Sequence, residues 1–512
     1  MRITNKIMRN NSLFNLNQNK ILEDKLTNQM TNQSKIARPS DDPVVAIRAL
    51  RLRSNVTHVN QYYEKNAADA DNWLTVTADA LKTIDEILKN LYENAGSGAN
   101  KDLTADDLDI ILTQMKSLTK EFYSSGNVDY AGRYVFSGYR TDTAITFSAE
   151  DLAQMKKNPV SYNIKEKLGF SDIDTFHYTD FSILTPDPNN DIAGDGIRPD
   201  GTSYEQNVTD NKLYRLRLSY DDLDGGTLTF KNALGTKDFG GDITEYDNAE
   251  KAYQDIANGT CKGIAYIPST GELVFSEEYY KKFQEGEGFE ITYDKSNWQE
   301  GDINPVHYFE CKETKDIGNG KTKVTNYNTE PTTLPQDIYY DVGFNQKIQV
   351  NTLTSEVFTH NVQRDMDDFQ RCLTQLRGIE TQISDIKKKR EEYPEDSNEY
   401  KNWTKKLEAA EKAQSHIREN IHTQFENQIT KYQNYMSDNN VAITNNASRG
   451  NRLDLISNRL MTQLATFKDL QTDNESIDIT QVAVELSSSE LTYQAALMAT
   501  GKIMQTNLMN YI

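Results

Sequence analysis

Ala49, Leu52, Val56, Val59, Tyr63, Asn66, Ala70, Trp73, Thr77, Ala80, Ile84, Ile87 and Leu91 follow one another at alternating steps of three and four residues, and only Asn66 and Thr77 in the series are polar. A three–four alternation held over about six heptads predicts a coiled-coil helix roughly 70 Å long. Asp42 marks its start, because a carboxylate there can accept from the free amides of the first turn. Pro43 fits the first helical position, where no N–H is needed. Gly96 and Gly98 mark its end. A second helix is expected from about Thr104, with Leu108, Ile111, Met115, Leu118 and Phe122 at the same spacing.

The C-terminal part mirrors this arm. Val362, Met366, Phe369, Leu373, Leu376 and Ile383 form one stripe, which Pro394 should interrupt. Trp403, Leu407, Ala410, Ile417 and Ile421 resume it, and Leu453, Ile456, Leu460, Phe467 and Leu470 form another. The last stripe runs through Ile479, Val482, Leu486, Tyr493, Leu497, Met504 and Leu508. At the opposite end, Ile7, Phe14 and Ile21 recur every seven residues among many asparagines, and no acid precedes Glu23. Such a segment is weak alone and is expected to become helical on a partner.

Between the arms the pattern changes to period two. Tyr214-Arg215-Leu216-Arg217-Leu218-Ser219-Tyr220 alternates, and Asp224-Gly225-Gly226 should turn the chain into Thr227-Leu228-Thr229-Phe230 as a first hairpin. Gly263-Ile264-Ala265-Tyr266-Ile267 and Glu272-Leu273-Val274-Phe275, joined by Ser269-Thr270-Gly271, predict a second. Asn258-Gly259 and Asn319-Gly320 read as further turns. Residues 141–340 hold about 17 of the 21 net negative charges of the 512-residue chain, as expected of a separate acidic domain inserted between two helical arms.

Composition excludes several classes. Hydrophobic residues make up 37%, too few for one large globular core, so an elongated molecule that relies on neighbours for burial is expected. The net charge of −21 argues against nucleic acid as a partner. There is no apolar run long enough to insert in a membrane, and the start lacks the apolar region of a cleavable signal peptide. Cys261, Cys311 and Cys372 are scattered and odd in number, which suits neither a disulfide framework nor a zinc site.

The chemical candidates dissolve on inspection. The histidines at 58, 177, 307, 360, 416 and 422 lack metal-ligand spacing. Gly194-Asp195-Gly196 and Gly286-Glu287-Gly288 read as turns and not as phosphate loops. Asp187-Pro188-Asn189-Asn190-Asp191 starts like a calcium loop, but Ile192 stands where glycine is required and Arg198 where the bidentate glutamate belongs. The expectation is therefore a non-enzyme with no catalytic residue, no metal and no cofactor.

The ends carry a resemblance. Arg38-Pro39-Ser40-Asp41-Asp42-Pro43, followed by Val44-Val45-Ala46-Ile47-Arg48-Ala49-Leu50, resembles the N-terminal signature of the flagellin superfamily, in the Pro-Ser-Asp-Asp-Pro form of its hook–filament junction members. Gly132-Arg133-Tyr134-Val135-Phe136-Ser137-Gly138-Tyr139 resembles the family's Phe-Ser-Gly element, and Gly301-Asp302-Ile303-Asn304-Pro305-Val306-His307-Tyr308-Phe309 is similar to a middle-domain motif of some junction proteins. Thr492-Tyr493-Gln494-Ala495-Ala496-Leu497, Lys502-Ile503-Met504-Gln505 and Asn507-Leu508-Met509-Asn510-Tyr511-Ile512 are similar, in that order, to the family's C-terminal helix and ending. Gln33-Ser34 stands where the family carries glycine, and the helix around 387–440 is longer than the family's.

The resemblance implies a structural adaptor that polymerises through its terminal helices at the junction of hook and filament, outside the cell. It implies export through the flagellum's own channel without a cleavable signal. The implied partners are further copies of itself in a ring, flagellar hook-associated protein 1, flagellin and an export chaperone. The expected fold is α+β and multi-domain: long paired coiled-coil arms with an inserted mainly-β domain. The expected parts are an assembly helix at 1–40 that is disordered before assembly, rod halves at 41–144 and 341–470, a β-rich domain at 145–340, and an assembly helix at 471–512. Ile3, Ile7, Phe14, Ile21, Leu486, Tyr493, Leu497, Met504 and Leu508 are the expected assembly interface. Arg38, Pro39, Ser40, Asp41, Asp42 and Pro43 are the expected turn between inner and outer helices. The rival readings are a filament subunit and a surface adhesin with Tyr279, Tyr280, Trp298 and Tyr308 lining a binding site.

Overall fold

The computed structural model describes residues 5–181, 184, 208–283, 286, 288–318, 321–328 and 336–505. Its helices are α1 (Asn5–Asn32), α2 (Pro43–Asn60), α3 (Ala68–Gly98), α4 (Ala105–Ser124), α5 (Ala149–Lys157), α6 (Ala249–Ala257), α7 (Glu277–Tyr280), α8 (Thr354–Val357), α9 (Asn361–Glu391), α10 (Asn398–Glu475) and α11 (Ile479–Gln505). The strands are β1 (Asp129–Tyr130), β2 (Arg133–Tyr134), β3 (Val160–Gly169), β4 (Ile173–Asp180), β5 (Thr209–Arg217), β6 (Thr229–Asn232), β7 (Ile243–Glu245), β8 (Ile264–Ile267), β9 (Glu272–Phe275), β10 (Gly288–Lys295), β11 (Glu310–Asp316), β12 (Thr322–Tyr327), β13 (Tyr339–Gly343) and β14 (Gln346–Gln349). This is an α+β chain with helical ends and a β-rich middle. It divides into two compact units, Asn72–Ile338 with Gln349–Arg449, and Met1–Asp71 with Tyr339–Ile348 and Gly450–Ile512.

In the larger unit, the three–four spacing of α3 buries Leu81, Ile84, Leu88 and Leu91 completely. Two buried asparagines of α10 reach across to α3. Asn439 Nδ2 donates to the Leu81 carbonyl at 3.1 Å and Asn446 Nδ2 to that of Leu74 at 2.9 Å. Donors and acceptors are each seven residues apart and run in opposite directions, so the two bonds fix one antiparallel register. α4 starts on a reciprocal capping box between Thr104 and Asp107. α9 stops at Glu391 and α10 begins at Asn398. Pro394 lies between them, lacking the N–H that a continuing helix needs. Phe369 of α9 stacks on Phe425 of α10 with centroids 4.3 Å apart.

The middle segment folds into two five-stranded sheets, ordered β12-β11-β3-β10-β6 and β4-β5-β9-β8-β7. All pairs are antiparallel except β7 with β8. Alternate residues of β3 and β10 are buried, giving Tyr162, Ile164, Phe289, Ile291 and Tyr293 to a core shared with Leu216, Tyr266, Leu273 and Phe275 of the second sheet. The other face of the second sheet is covered by α6, through Ala252, Tyr253 and Ile256. Burial on both faces explains why β8 and the Leu273-Val274-Phe275 part of β9 read as continuous apolar runs. The β8–β9 hairpin forms as the sequence predicts. The expected first hairpin does not. β5 pairs with β4 and β9, whereas the chain after Asp224-Gly225-Gly226 enters β6, which pairs with β10 in the other sheet. The turn moves the chain between layers, a choice that local turn chemistry does not specify.

In the smaller unit α2 begins on Asp42 and runs through the π-helical stretch Gln61–Ala67 into α3. Ala46, Ala49 and Val59 are buried, as are Leu453, Ile456, Leu460 and Leu464 of α10. At the wider π turn the buried residue is Ala67, not the Asn66 of the heptad count. Asn66 instead donates to the Asp341 carbonyl of β13 at 2.7 Å, which gives that amide a partner.

Candidate assembly surface

The linker between α1 and α2 is built by its own side chains. Asp41 Oδ2 accepts from the amides of Ala37 and Arg38 at 3.1 and 2.8 Å, and Asp42 Oδ1 accepts from those of Val44 and Val45 at 3.0 and 3.1 Å. Pro43 occupies the first turn of α2. Arg38, Pro39 and Ser40 are exposed on the outside of this turn. The linker is fastened to the α10–α11 link. Lys35 N donates to the Glu475 carbonyl at 2.9 Å, Ser34 bridges Ser476, and Arg53 holds the Glu475 carboxylate with two bonds at 2.8 and 2.5 Å. Glu475 is held below its usual carboxylate range by the hydrogen bond from Arg53. Gln33 stands at φ +52, the left-handed conformation that ends a helix. Glycine adopts that conformation without the strain a side chain brings.

α1 and α11 pack antiparallel from this fastening outward. The seam between them mixes small and polar residues with large apolar ones in equal number. On α1 the inward positions are Ser12, Leu16, Asn19, Glu23, Leu26 and Met30, and on α11 they are Val482, Leu486, Ser489, Tyr493, Ala496 and Thr500. Other large apolar side chains point the other way. Ile7, Phe14 and Ile21 are 48%, 61% and 62% exposed, seven residues apart along α1. Val484, Leu491 and Met498 are 66%, 68% and 67% exposed, seven apart along α11, with Leu497 beside them. The pair therefore buries only part of its large apolar side chains in the seam and leaves rows of them on its outer faces.

Of the residues expected at an interface, Ile7, Phe14, Ile21 and Leu497 face outward, and Leu486 and Tyr493 sit half-buried in the seam. Ile3 and Leu508 lie outside the described residues, as does the side chain of Met504. The outward row Val484, Leu491 and Met498 was missed, although its seven-residue spacing was legible. The stripe through Val482, Leu486 and Tyr493 has the same spacing, and hydrophobicity alone does not say which row faces the partner helix.

The other candidates resolve into structure. Tyr279 and Trp298 belong to the sheet core, Tyr280 stacks on Tyr214 with centroids 4.3 Å apart, and the Tyr308 hydroxyl donates to the Phe358 carbonyl at 3.1 Å. His307 and His360 are pushed down to about 4 and about 3, in both cases first by burial. The acidic loop at 187–191 and the turns at 194–196 and 319–320 lie outside the described residues.

The larger unit contains one dense charged constellation. Arg215 of β5 bonds both oxygens of Asp174 at 2.8 and 2.9 Å, Glu272 at 2.8 Å and both oxygens of Asp368 at 2.8 and 2.5 Å. Arg217 bonds Asp365 and Asp368 at 2.8 Å each. Arg371 reaches Asp368 at 3.0 Å and the Tyr253 hydroxyl at 2.9 Å, and Lys431 reaches Asp365 at 2.8 Å. Burial by itself would raise Asp365 and Asp368. The neighbouring cations outweigh it and hold both below the usual carboxylate range. Every charge in the cluster meets its opposite, so it is suited to holding elements together and not to proton transfer.

Comparison with known proteins agrees with the N-terminal signature. Residues 3–141 match the bacterial flagellin N-terminal helical region. Its sequence relatives include two proteins called flagellar hook-associated protein 3. One, from Escherichia coli K12, is 28% identical over 35% of this chain and 54% of its own length, and the other, from Salmonella typhimurium LT2, is 26% identical over 28% and 45%. The chain thus spans about half the length of these relatives. Among solved structures, a flagellar hook associated protein-3 from Legionella pneumophila aligns over 82% of this chain and 97% of its own, at 8% identity and a TM-score of 0.29.

Proposed function

We propose that the protein is a non-enzymatic structural subunit of the bacterial flagellum that polymerises through α1 and α11 into the junction between hook and filament. The observation that carries this reading is the exposed apolar row on each outer face of the terminal pair. Two helices that turn their large apolar side chains to water at seven-residue intervals on both outer faces require a further layer of helices to cover them. Copies of the same chain supply that layer in a ring. Flagellar hook-associated protein 1 and flagellin are the adjacent subunits, and an export chaperone covers the same stripes before assembly. In this reading Ile7, Phe14, Ile21, Val484, Leu491, Leu497 and Met498 bear the intersubunit contacts. Asp41, Asp42 and Pro43 set the reversal between inner and outer helices, and the acidic sheets lie where solvation is useful. The Pro-Ser-Asp-Asp-Pro form of the turn favours the junction over the filament. Immunogold labelling of intact flagella tests the assignment. A single band at the base of the filament is expected. Label along the whole filament would make it a filament subunit, and label absent from flagella would refute the proposal.

A further inference from the structure

The apolar cores of the two sheets are built, among the described residues, wholly from side chains between Phe147 and Tyr327, and none comes from α9 or α10. Where the sheets meet those helices, the contacts are polar. Four cations (Arg215, Arg217, Arg371 and Lys431) face four carboxylates (Asp174, Glu272, Asp365 and Asp368), drawn from β4, β5, β9, α9 and α10. Asn420 of α10 adds bonds to Asp210 and Thr179 at 3.0 and 3.3 Å. Aromatic contacts across this boundary are the His360 ring against Tyr220, Tyr308 and Phe309, close to the point where the chain returns to the helices, and the Arg371 guanidinium over the Phe176 and Tyr253 rings. A cleft of about 480 Å³, lined by Asp174, Arg215, Asp368, Gln424 and Lys431 among others, brings solvent to the edge of the cluster.

We propose that this charge cluster is a latch, which fixes the orientation of the two sheets on α9 and α10 while leaving their core independent, so that breaking it lets the sheets pivot as one body on their two chain connections. Buried ion pairs add little net stability compared with apolar packing, yet their bonds are directional and fix one geometry. An apolar seam tolerates sliding, whereas a guanidinium forked onto two carboxylates does not. Removing one carboxylate leaves guanidinium groups buried without a counter-charge, a costly state. Lifting the sheets away from the helices rehydrates those groups without exposing either core.

Spin labels on Leu234→Cys in the sheet region and Ser384→Cys in α9 test this, since both positions are exposed and the three native cysteines are buried. The parent chain should give one narrow distance distribution by double electron–electron resonance. Asp365→Asn with Asp368→Asn should broaden it at least twofold, while the emission of Trp298 inside the sheet core, read with Trp73 and Trp403 replaced by Phe, stays unshifted. An unchanged width overturns the latch. Loss of the Trp298 signature together with the helices also overturns it, because the cluster would then be part of a single core. Native-state amide exchange on the unsubstituted chain gives an independent reading. The strands β3, β9 and β10 should open in a different step from α9, and a single shared step contradicts the proposal.

Discussion

Gly96 and Gly98 lie two residues apart in the last turns of α3, and the structure predicts opposite outcomes for the same substitution. A Cβ at Gly98 would lie 2.4 Å from Phe425 Cε1 and 2.6 Å from its Cζ. The Phe425 ring cannot move aside, because it is 1% exposed and stacked on Phe369. Overpacking of this kind costs about 1–3 kcal/mol, and removing a helical glycine returns at most about 1 kcal/mol. Gly98→Ala should therefore lose about 1–2 kcal/mol, seen as a fall of about 1–3 °C in the transition of the larger unit. A Cβ at Gly96 meets nothing within 4 Å, so Gly96→Ala should gain about 0.5–1 kcal/mol from propensity alone. Differential scanning calorimetry and urea titration of the two full-length variants read the difference. Shifts of the same sign in both would refute the packing of α3 on α10 described above.

Gln33→Gly should stabilise the smaller unit by about 1 kcal/mol, since it relieves a side chain held at φ +52; a loss on urea titration would show that the Gln33 side chain contributes more than its backbone costs. Asp42→Ala should cost about 1 kcal/mol by freeing the amides of Val44 and Val45, with exchange accelerated in the first turn of α2 and nowhere in the sheets. His360 and His307 are neutral in the fold because burial holds them at about 3 and about 4, so the unfolded chain binds more protons below its ordinary histidine value near 6.5. The stability they protect is complete above about pH 6.5 and should fall by about 2–3 kcal/mol per histidine by pH 4.5. Asp367, raised to about 6 first by burial, acts with the opposite sign over the same range but is half exposed. Urea midpoints at pH 7 and 4.5 measure the sum, and His360→Phe should remove about half of the slope.

The helical arms were legible because a three–four alternation has one physical solution over six heptads, and because Asp42, Thr104 and Pro394 mark termini through chemistry that acts within a few residues. The β8–β9 hairpin was legible for the same local reason. The partition of strands between two sheets was not, since Asp224-Gly225-Gly226 specifies a turn but not the layer the chain enters next. The latch was also hidden. Arg215 and Arg217 look like the outward residues of an ordinary alternating strand, and their partners Asp365 and Asp368 are some 150 residues away in sequence. At the termini, hydrophobicity located the helices and their partial lack of cover. It did not show that α1 and α11 meet along a mixed seam that includes Ser12, Leu26, Val482 and Ser489, leaving Val484, Leu491 and Met498 outside.

That outward row offers the most direct test of assembly through exposed terminal faces. Leu491→Ser with Met498→Ser alters side chains that are already in water, so the monomer should keep its helix content and its thermal transition within about 1 kcal/mol. Incorporation into flagella, quantified by immunogold and by motility in a strain supplied only with the variant, should fall at least tenfold. Normal incorporation of a correctly folded variant would contradict the account.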